Sequence, residues 1–408
     1  MLLVIDREKP NLLILTSSFP RNQGDETCGY IRDFARSAAS EFNVTVLTLP
    51  ERENSDWPDD KFKLFRASSL PGRINPLQAG SDLTHLSSQS LLTKLAALIS
   101  LIGFTFHALR LARHADVICS HWMLPSGLIG SITSRLTGKP HIIVEHSGAL
   151  HLLKQMRGGG RLADFIINGS CRVITVSRDL KAKLLELCPD ASQKTEVIPM
   201  GVDVAGIAPA QKAVAGESIS VGGRTILFVG RLTAIKGIEI LLKAAKGIDN
   251  LRCVIAGDGD ERERLEKIAV LLEIKATFLG RVNAEDRNDL LRRCDAVVIP
   301  SLMLPDGRTE GMPVICLEAM AAERPVIASR TGGLAELIQD GHNGLLFDPG
   351  NHSMLAERLH LLMNDSGLRD KLAANARSTV AEYDWSLVGL KYCEILKGSL
   401  QQEEILCH

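Results

Sequence analysis

A chain of 408 residues exceeds what one ordinary hydrophobic core organises, and two domains follow from surface-to-volume scaling. Its 45% hydrophobic and 23% charged residues exclude a disordered chain, and its formal charge of −1 excludes a strongly basic nucleic-acid binder. That charge divides unevenly, +4 over residues 1–200 and −5 over residues 201–408.

The N-terminal MLLVIDREKP has acidic residues straight after a short apolar run, which is not the form of a secretory signal. Short apolar, β-branched runs then recur: LLILT (12–16), VTVLTL (44–49), DVICS (116–120), HIIVEH (141–146), VITVS (173–177) and EVIPM (196–200) read as strands. Stretches such as YIRDFARSAASEF and SGLIGSITSRLTG separate them with helical spacing. The segment 91–112, LLTKLAALISLIGFTFHALRLA, is strongly apolar, yet Lys94, His107 and Arg110 interrupt it and leave too few clean residues for a span. It is expected to be a long, mostly buried helix. A second reading places it partly in a membrane surface, because Arg66, Arg73, Lys94, Arg110 and Arg113 face only Asp82 over residues 66–113. The triple glycine of RGGGR (157–161) matches no phosphate loop and is expected to be a mobile loop on the acceptor side.

After a Gly/Ala/Ser-rich stretch, a linker over 205–223, the alternation restarts with strands TILFVG (225–230), RCVIAG (252–257), ATFLG (276–280), AVVIP (296–300), PVIAS (325–329) and GLLF (344–347). Two successive doubly wound α/β domains with parallel sheets follow, over 1–204 and 224–381. Residues 382–408 are expected to form a C-terminal helix packing back toward the first domain. The nine cysteines are scattered without a C-x-x-C pair and read as reduced, mostly packing thiols of a cytosolic protein.

In such sheets ligands bind beyond the carboxyl ends of the strands. There the second half carries VGRLTAIKG, with Arg231 in the loop and Lys236 where a helix start favours an anion. Strand 252–257 ends in GDGD, and strand 276–280 ends beside Arg281 and Val282, whose backbone suits the edge of a base. The stretch RTEGMPVICLEAM (308–320) then sets Glu310 in an approach loop and Glu318 more than a turn inside a helix that Pro313 suits as its start. Gly311 permits close backbone approach, and two carboxylates can accept hydrogen bonds from different hydroxyls of one elongated molecule. A sugar, a diphosphate and a ribose in line fit this arrangement, with two basic side chains balancing the diphosphate.

The combination VGRLTAIKG, AGDGDERERL, FLGRV and EGMPVICLEAMAAERPVIASRTGGLAELIQDGHNGLL resembles the donor domain of the retaining glycosyltransferases of family four (glycosyl transferases group 1) over nearly all of 224–381. SSFPRNQGDETCGYIRDFA and DVICSHWMLPSG are more loosely similar to its first domain. The resemblance implies the GT-B fold, two Rossmann-like domains facing across a cleft, and transfer of a hexose from a UDP- or GDP-sugar to an acceptor hydroxyl without a metal. It implies that Arg231 and Lys236 hold the diphosphate and stabilise the leaving group's charge, and that Gly230 and Gly257 at the strand ends border the donor. By the same resemblance Glu318 binds the ribose and Glu310 the sugar, backed by the amides of Gly311 and Met312. His121 faces the reacting centre from the first domain, where Gly29 lets a loop approach the phosphates and His146 is a further candidate on the acceptor side. The family's Gly-Gly is reduced here to Gly24 and Gly29.

Alternatives remain: a nucleotide-sugar epimerase or a phosphorylase on the same architecture, or a catalytically dead donor-binding subunit. Asp258 and Asp260 invite a metal, but Gly and Asp favour a turn on their own, and no cofactor is expected beyond the donor. No strand runs directly into G-x-G-x-x-G, which disfavours a dinucleotide oxidoreductase. The acceptor is expected to be a lipid-linked or oligosaccharide intermediate of surface polysaccharide or glycolipid synthesis, met at the inner face of the plasma membrane.

Overall fold

Leu12, Leu13, Ile14 and Leu15 are all buried, so the first strand has no solvent face, and its apolar run needs helices on both sides. The computed structural model, which describes residues 8–406 apart from 23, 51–58, 60, 68–89, 208–223 and 306, satisfies that need twice. Most of the expected linker, 205–223, lies outside the described residues, as does Cys407. The chain divides into two compact units, one made of residues 1–199 with 385–408 and one of residues 200–384.

In the first unit β1 (Asn11–Thr16), α1 (Gly29–Ala38), β2 (Asn43–Thr48), β3 (Phe62–Arg66), α2 (Leu91–Ala112), β4 (Val117–His121), α3 (Leu128–Thr137) and β5 (His141–Glu145) are followed by α4 (Gly148–Gln155), α5 (Gly159–Asn168), β6 (Arg172–Thr175), α6 (Arg178–Leu187) and β7 (Thr195–Val197). The strands pair in the order β3-β2-β1-β4-β5-β6-β7, every pairing parallel. The reversal between β1 and β4 is a topological switch point, where strand ends diverge and leave room for a ligand.

The second unit runs β8 (Arg224–Val229), α7 (Ile238–Ala245), β9 (Leu251–Ala256), α8 (Arg262–Leu271), β10 (Ala276–Gly280), α9 (Ala284–Arg293), β11 (Ala296–Ile299) and α10 (Val314–Ala321). It ends with β12 (Val326–Ser329), α11 (Gly332–Leu337), β13 (Leu345–Phe347), α12 (His352–Asn364) and α13 (Ser366–Val380). Its parallel order β10-β9-β8-β11-β12-β13 switches between β8 and β11. Two apolar layers sandwich this sheet: Phe228, Leu241, Ile255 and Leu359 lie in one, and Leu227, Val297, Cys316 and Met320 in the other. Side-chain caps start its helices where sequence chemistry allows, with Asn283, Asn351 and Asp365 accepting from the amides of Asp286, Met354 and Leu368, each worth about 1 kcal/mol.

The last helix, α14 (Trp385–Leu406), belongs to the first unit. Phe34 of α1 packs edge-on against Tyr392 at 5.2 Å between ring centres, and the Tyr392 hydroxyl donates to the Ile198 carbonyl at 3.0 Å.

One strand was not read from the sequence, and two expectations need correction. FKLFR forms the edge strand β3, whose short apolar run Lys63 interrupts. RGGGR is not a free loop: Gly158 caps α5 in the left-handed region, and Gly159 packs so closely on the Leu153 carbonyl that a side chain there would collide with it. The segment 91–112 is a single helix but not a mostly buried one, since only 28% of its apolar window is enclosed. None of the eight described cysteines is in a disulfide, and burial pushes the thiols of Cys253, Cys294 and Cys316 up to about 12, so packing accounts for these three.

Candidate active site

At the switch point of the second sheet, backbone bonds stitch the strand ends together. The amide of Gly230 donates to Ala256 at 3.0 Å, Leu232 to Asp258 at 2.9 Å, and Gly257 to Gly280 at 2.7 Å. Gly257 sits at φ 145°, and a Cβ there would drive into the Gly230 carbonyl oxygen, so glycine is required for the two loops to touch. Asp258 is used locally, its Oδ1 accepting from the amide of Gly259 at 2.9 Å, with Arg262 3.9 Å away. Arg281 and Val282 follow Gly280 at the next strand end, and no hydrogen bond or ion pair joins them to Glu310 or Glu318 among the described residues.

Glu310 and Glu318 stand where the spacing places them, one in the loop after β11 and the other on the second turn of α10, with Pro313 at the position just before the helix. The structure adds their partners. Lys236 Nζ lies 2.5 Å from Glu310 Oε1, and Ser301 Oγ donates to Glu310 Oε2 at 3.2 Å. Arg287, from α9, lies 2.9 Å from Glu318 Oε1. Each carboxylate thus has its own cation, and all four side chains are largely shielded. The Lys236 side chain arches over Gly230, within 3.8 Å of where a Cβ would stand. Arg231 is exposed and makes no ion pair among the described residues. The carbonyl of Gly311 is held by the amide of Gly333 at 2.8 Å, and the hydroxyls of Thr309 and Thr331 meet at 2.7 Å, which joins the β11 and β12 loops. Arg231, Lys236, Gly230, Glu310, Gly311 and Met312 therefore sit on one set of interlocked strand ends. Arg287 was not legible beforehand, because its role depends on which face α9 turns toward α10.

The first unit builds a different kind of site. His121 ends β4, His146 follows β5, and their rings stack with centres 5.2 Å apart, His121 Nδ1 lying 2.9 Å from His146 Nε2. Phe34 packs on His121, while Tyr30 and Trp122 pack on His146, both at 5.1 Å. Gly29 begins α1 beside Tyr30, so the structure brings Gly29, His121 and His146 into one neighbourhood. A Cβ on Gly29 would stand 2.9 Å from Glu26 Oε2, and Glu26 bonds Arg32 at 3.0 Å. Burial holds His121 down to about 3 and His146 well below its ordinary value, so both are neutral at pH 7. Among the described residues His121 Nε2 is buried without a hydrogen-bond partner.

His141 is the instructive contrast. Its Nε2 lies 2.7 Å from the Ser120 hydroxyl and its Nδ1 3.2 Å from the Gly169 carbonyl, so both ring nitrogens are satisfied and its role is packing. The two histidines differ in that both ring nitrogens of His141 are engaged and only Nδ1 of His121 is, and a buried polar atom left unpaired costs about 1 to 3 kcal/mol.

Glu145, which sequence reading passed over, fixes this geometry. Fully buried at the end of β5, it accepts from the amides of Met123 at 2.7 Å and Ser147 at 2.9 Å. Those amides flank Trp122 (φ 66°) and Ser147 (φ 140°), two non-glycine residues held in the left-handed region at about 1 to 3 kcal/mol each. Burial pushes the Glu145 carboxyl up to about 7 despite these donors. Its one sequence signal is its place, an acid at a strand end immediately before His146.

Two doubly wound parallel sheets, with basic and carboxylate side chains paired on the strand ends of the second, are the architecture of the GT-B class of glycosyltransferase. The chain belongs to that class by family too: residues 211–379 match the family described as Glycosyl transferases group 1, and residues 30–205 match Glycosyltransferase Family 4. An uncharacterised glycosyltransferase of Methanocaldococcus jannaschii is 33% identical over 309 residues, covering 70% of this chain and 76% of the relative. A D-inositol 3-phosphate glycosyltransferase of Salinispora arenicola is 27% identical, covering 85% and 84%. Among solved structures, sucrose-phosphate synthase of Thermosynechococcus elongatus superimposes with a TM-score of 0.78 at 21% identity, covering 98% of this chain and all of that one. Anabaena HepE in complex with UDP-glucose gives 0.73 at 18% identity, covering 95% and 99%.

Proposed function

We propose that this enzyme transfers a hexose from a UDP- or GDP-sugar to an acceptor hydroxyl with retention of anomeric configuration and without a metal. The observation that carries the reading is the pair of carboxylates in E-x7-E, each matched to a cation, Lys236 on Glu310 and Arg287 on Glu318, on interlocked strand ends beside the exposed Arg231. That HepE was solved with UDP-glucose supports a nucleotide sugar as the ligand of this kind of fold.

In this reading the bond from the anomeric carbon to the diphosphate breaks, the acceptor oxygen takes its place on the same face, and the acceptor's proton leaves with the diphosphate or to solvent. Negative charge grows on the departing diphosphate, where Arg231 and Lys236 stabilise it electrostatically. Lys236 exchanges part of its contact with Glu310 for a phosphate oxygen, which frees Glu310 to accept from sugar hydroxyls. Glu318, oriented by Arg287, accepts from ribose hydroxyls, the amides of Gly311 and Met312 back the sugar, and Arg281 and Val282 border the base. His121, neutral at pH 7, is the polar candidate of the first unit, with Gly29 and His146 beside it on the acceptor side. The acceptor class that fits is an intermediate of surface polysaccharide or glycolipid synthesis. A thermal-shift screen of UDP- and GDP-hexoses, followed by assignment of the product anomer by NMR with and without EDTA, tests the reading. Binding of neither nucleotide, an inverted product, or complete loss of turnover with EDTA would each overturn its corresponding part.

A further inference from the structure

Helix α2 has two apolar faces, and among the described residues only one has a protein partner. Ala97, Ser100, Phe104, Ala108 and Ala112, spaced three or four apart, are buried; the apolar members of that stripe share a core with Leu13, Leu15, Leu47 and Ile118 of the sheet. The other stripe, Leu92, Leu95, Leu98, Ile99, Ile102 and Phe106, ranges from 39% exposed at Ile99 to 79% at Leu92. Six large apolar side chains in a row of about 20 Å exceed what a monomer ordinarily leaves in water.

We infer that this outer face of α2 docks onto an anionic lipid bilayer, lying in the plane of the surface. The charge pattern selects that occupant. Lys94 near one end of the stripe and Arg110 and Arg113 at the other are exposed, and no Asp or Glu occurs from Ser90 to His114. The first acid beyond, Asp116, is engaged by the Asn11 amide at 2.7 Å. A second copy of the chain pairing antiparallel through this face would bring Lys94 against the copy's Arg110 and Arg113, a like-charge contact, whereas anionic headgroups meet all three favourably. The helix does not cross the bilayer, because its opposite stripe is locked into the core of the first unit. The exposed side chains sit among the acyl chains, and the basic ends stay at headgroup level. This inference is independent of the donor chemistry, and its test reads binding rather than turnover.

The test is co-sedimentation of the full chain with vesicles of pure phosphatidylcholine and of phosphatidylcholine mixed with phosphatidylglycerol, at low and high salt. The wild type is expected to bind the mixed vesicles at low salt and to lose most of that binding at high salt, since surface attraction is screened within about 10 Å at 0.1 M. L95Q/I102Q/F106Q is expected to lose binding under all conditions, and K94Q/R110Q/R113Q to weaken binding to mixed vesicles about a hundredfold. Circular dichroism and an unchanged cooperative thermal melt show whether each variant is folded. A wild type that ignores both vesicles would overturn the inference. So would salt-independent binding to both, or a wild-type dimer by light scattering that I102Q dissociates.

Discussion

The strand ends of the two units solve opposite electrostatic problems. In the second unit carboxylates and cations are paired at 2.5 and 2.9 Å, so the site carries charge that a polar ligand can redistribute. In the first unit the strand-end groups are deeply buried and their charged forms are disfavoured: His121 and His146 stack as neutral rings, and burial pushes the Glu145 carboxyl up to about 7. The contrast teaches that one architecture makes either a charge-exchanging site or a dehydrated polar one, according to whether its buried groups have ionic partners. Loss of an ion pair should therefore show chiefly in turnover in the second unit, and loss of Glu145 or His141 chiefly in stability in the first.

The largest effect is expected at Lys236. Lys236→Ala strands Glu310 and, in the proposed function, removes a cation from the diphosphate, so steady-state kinetics should show kcat/KM lower by roughly ten- to a thousandfold. Near-normal turnover would mean that the pair is structural, and the contrast between the units would collapse.

Glu145 comes next, and its pH dependence carries the sign. Its folded value lies above the ordinary carboxyl value, so its contribution to stability is fully present below about pH 4.5 and is lost as pH rises through about 7, a change of about 3 kcal/mol. Glu145→Gln cannot ionise, so urea unfolding should find its stability gaining on the wild type between pH 5 and pH 8. A constant difference between the two proteins would refute the buried carboxyl.

Glu318→Ala is expected to weaken donor binding by about 1 to 3 kcal/mol, read as a raised KM for donor with kcat less affected. If kcat alone fell, Glu318 would belong to the chemistry and not to the ribose.

The smallest effect concerns His141, whose folded value burial depresses to about 4. A depressed histidine contributes stability that is present above about pH 6.5 and lost as pH falls, so lowering pH from 7.5 to 5.5 should cost about 1.4 kcal/mol through this residue. The slope has the opposite sign to that of Glu145, and unfolding of His141→Gln at the two pH values should lack it.

Much of this molecule was readable without coordinates. Continuous apolar runs such as Ile226–Val229 and Val326–Ala328 have no polar face, so they specify strands buried on both sides and hence two doubly wound sheets. Chain-local spacing also sets Glu310 before Pro313 and Glu318 beyond it, because a proline start and the helical rise are short-range properties. What lay outside the reach of sequence is whatever depends on a partner far along the chain. Arg287 meets Glu318 only because α9 packs beside α10, and Glu145 reaches Met123 only because β5 lies next to β4. Helix α2 shows the limit most plainly: its apolar residues surround the helix, composition is silent on which of them are covered, and only the packing of Phe104 and Ala108 onto the first sheet decided that Leu95, Ile102 and Phe106 face outward.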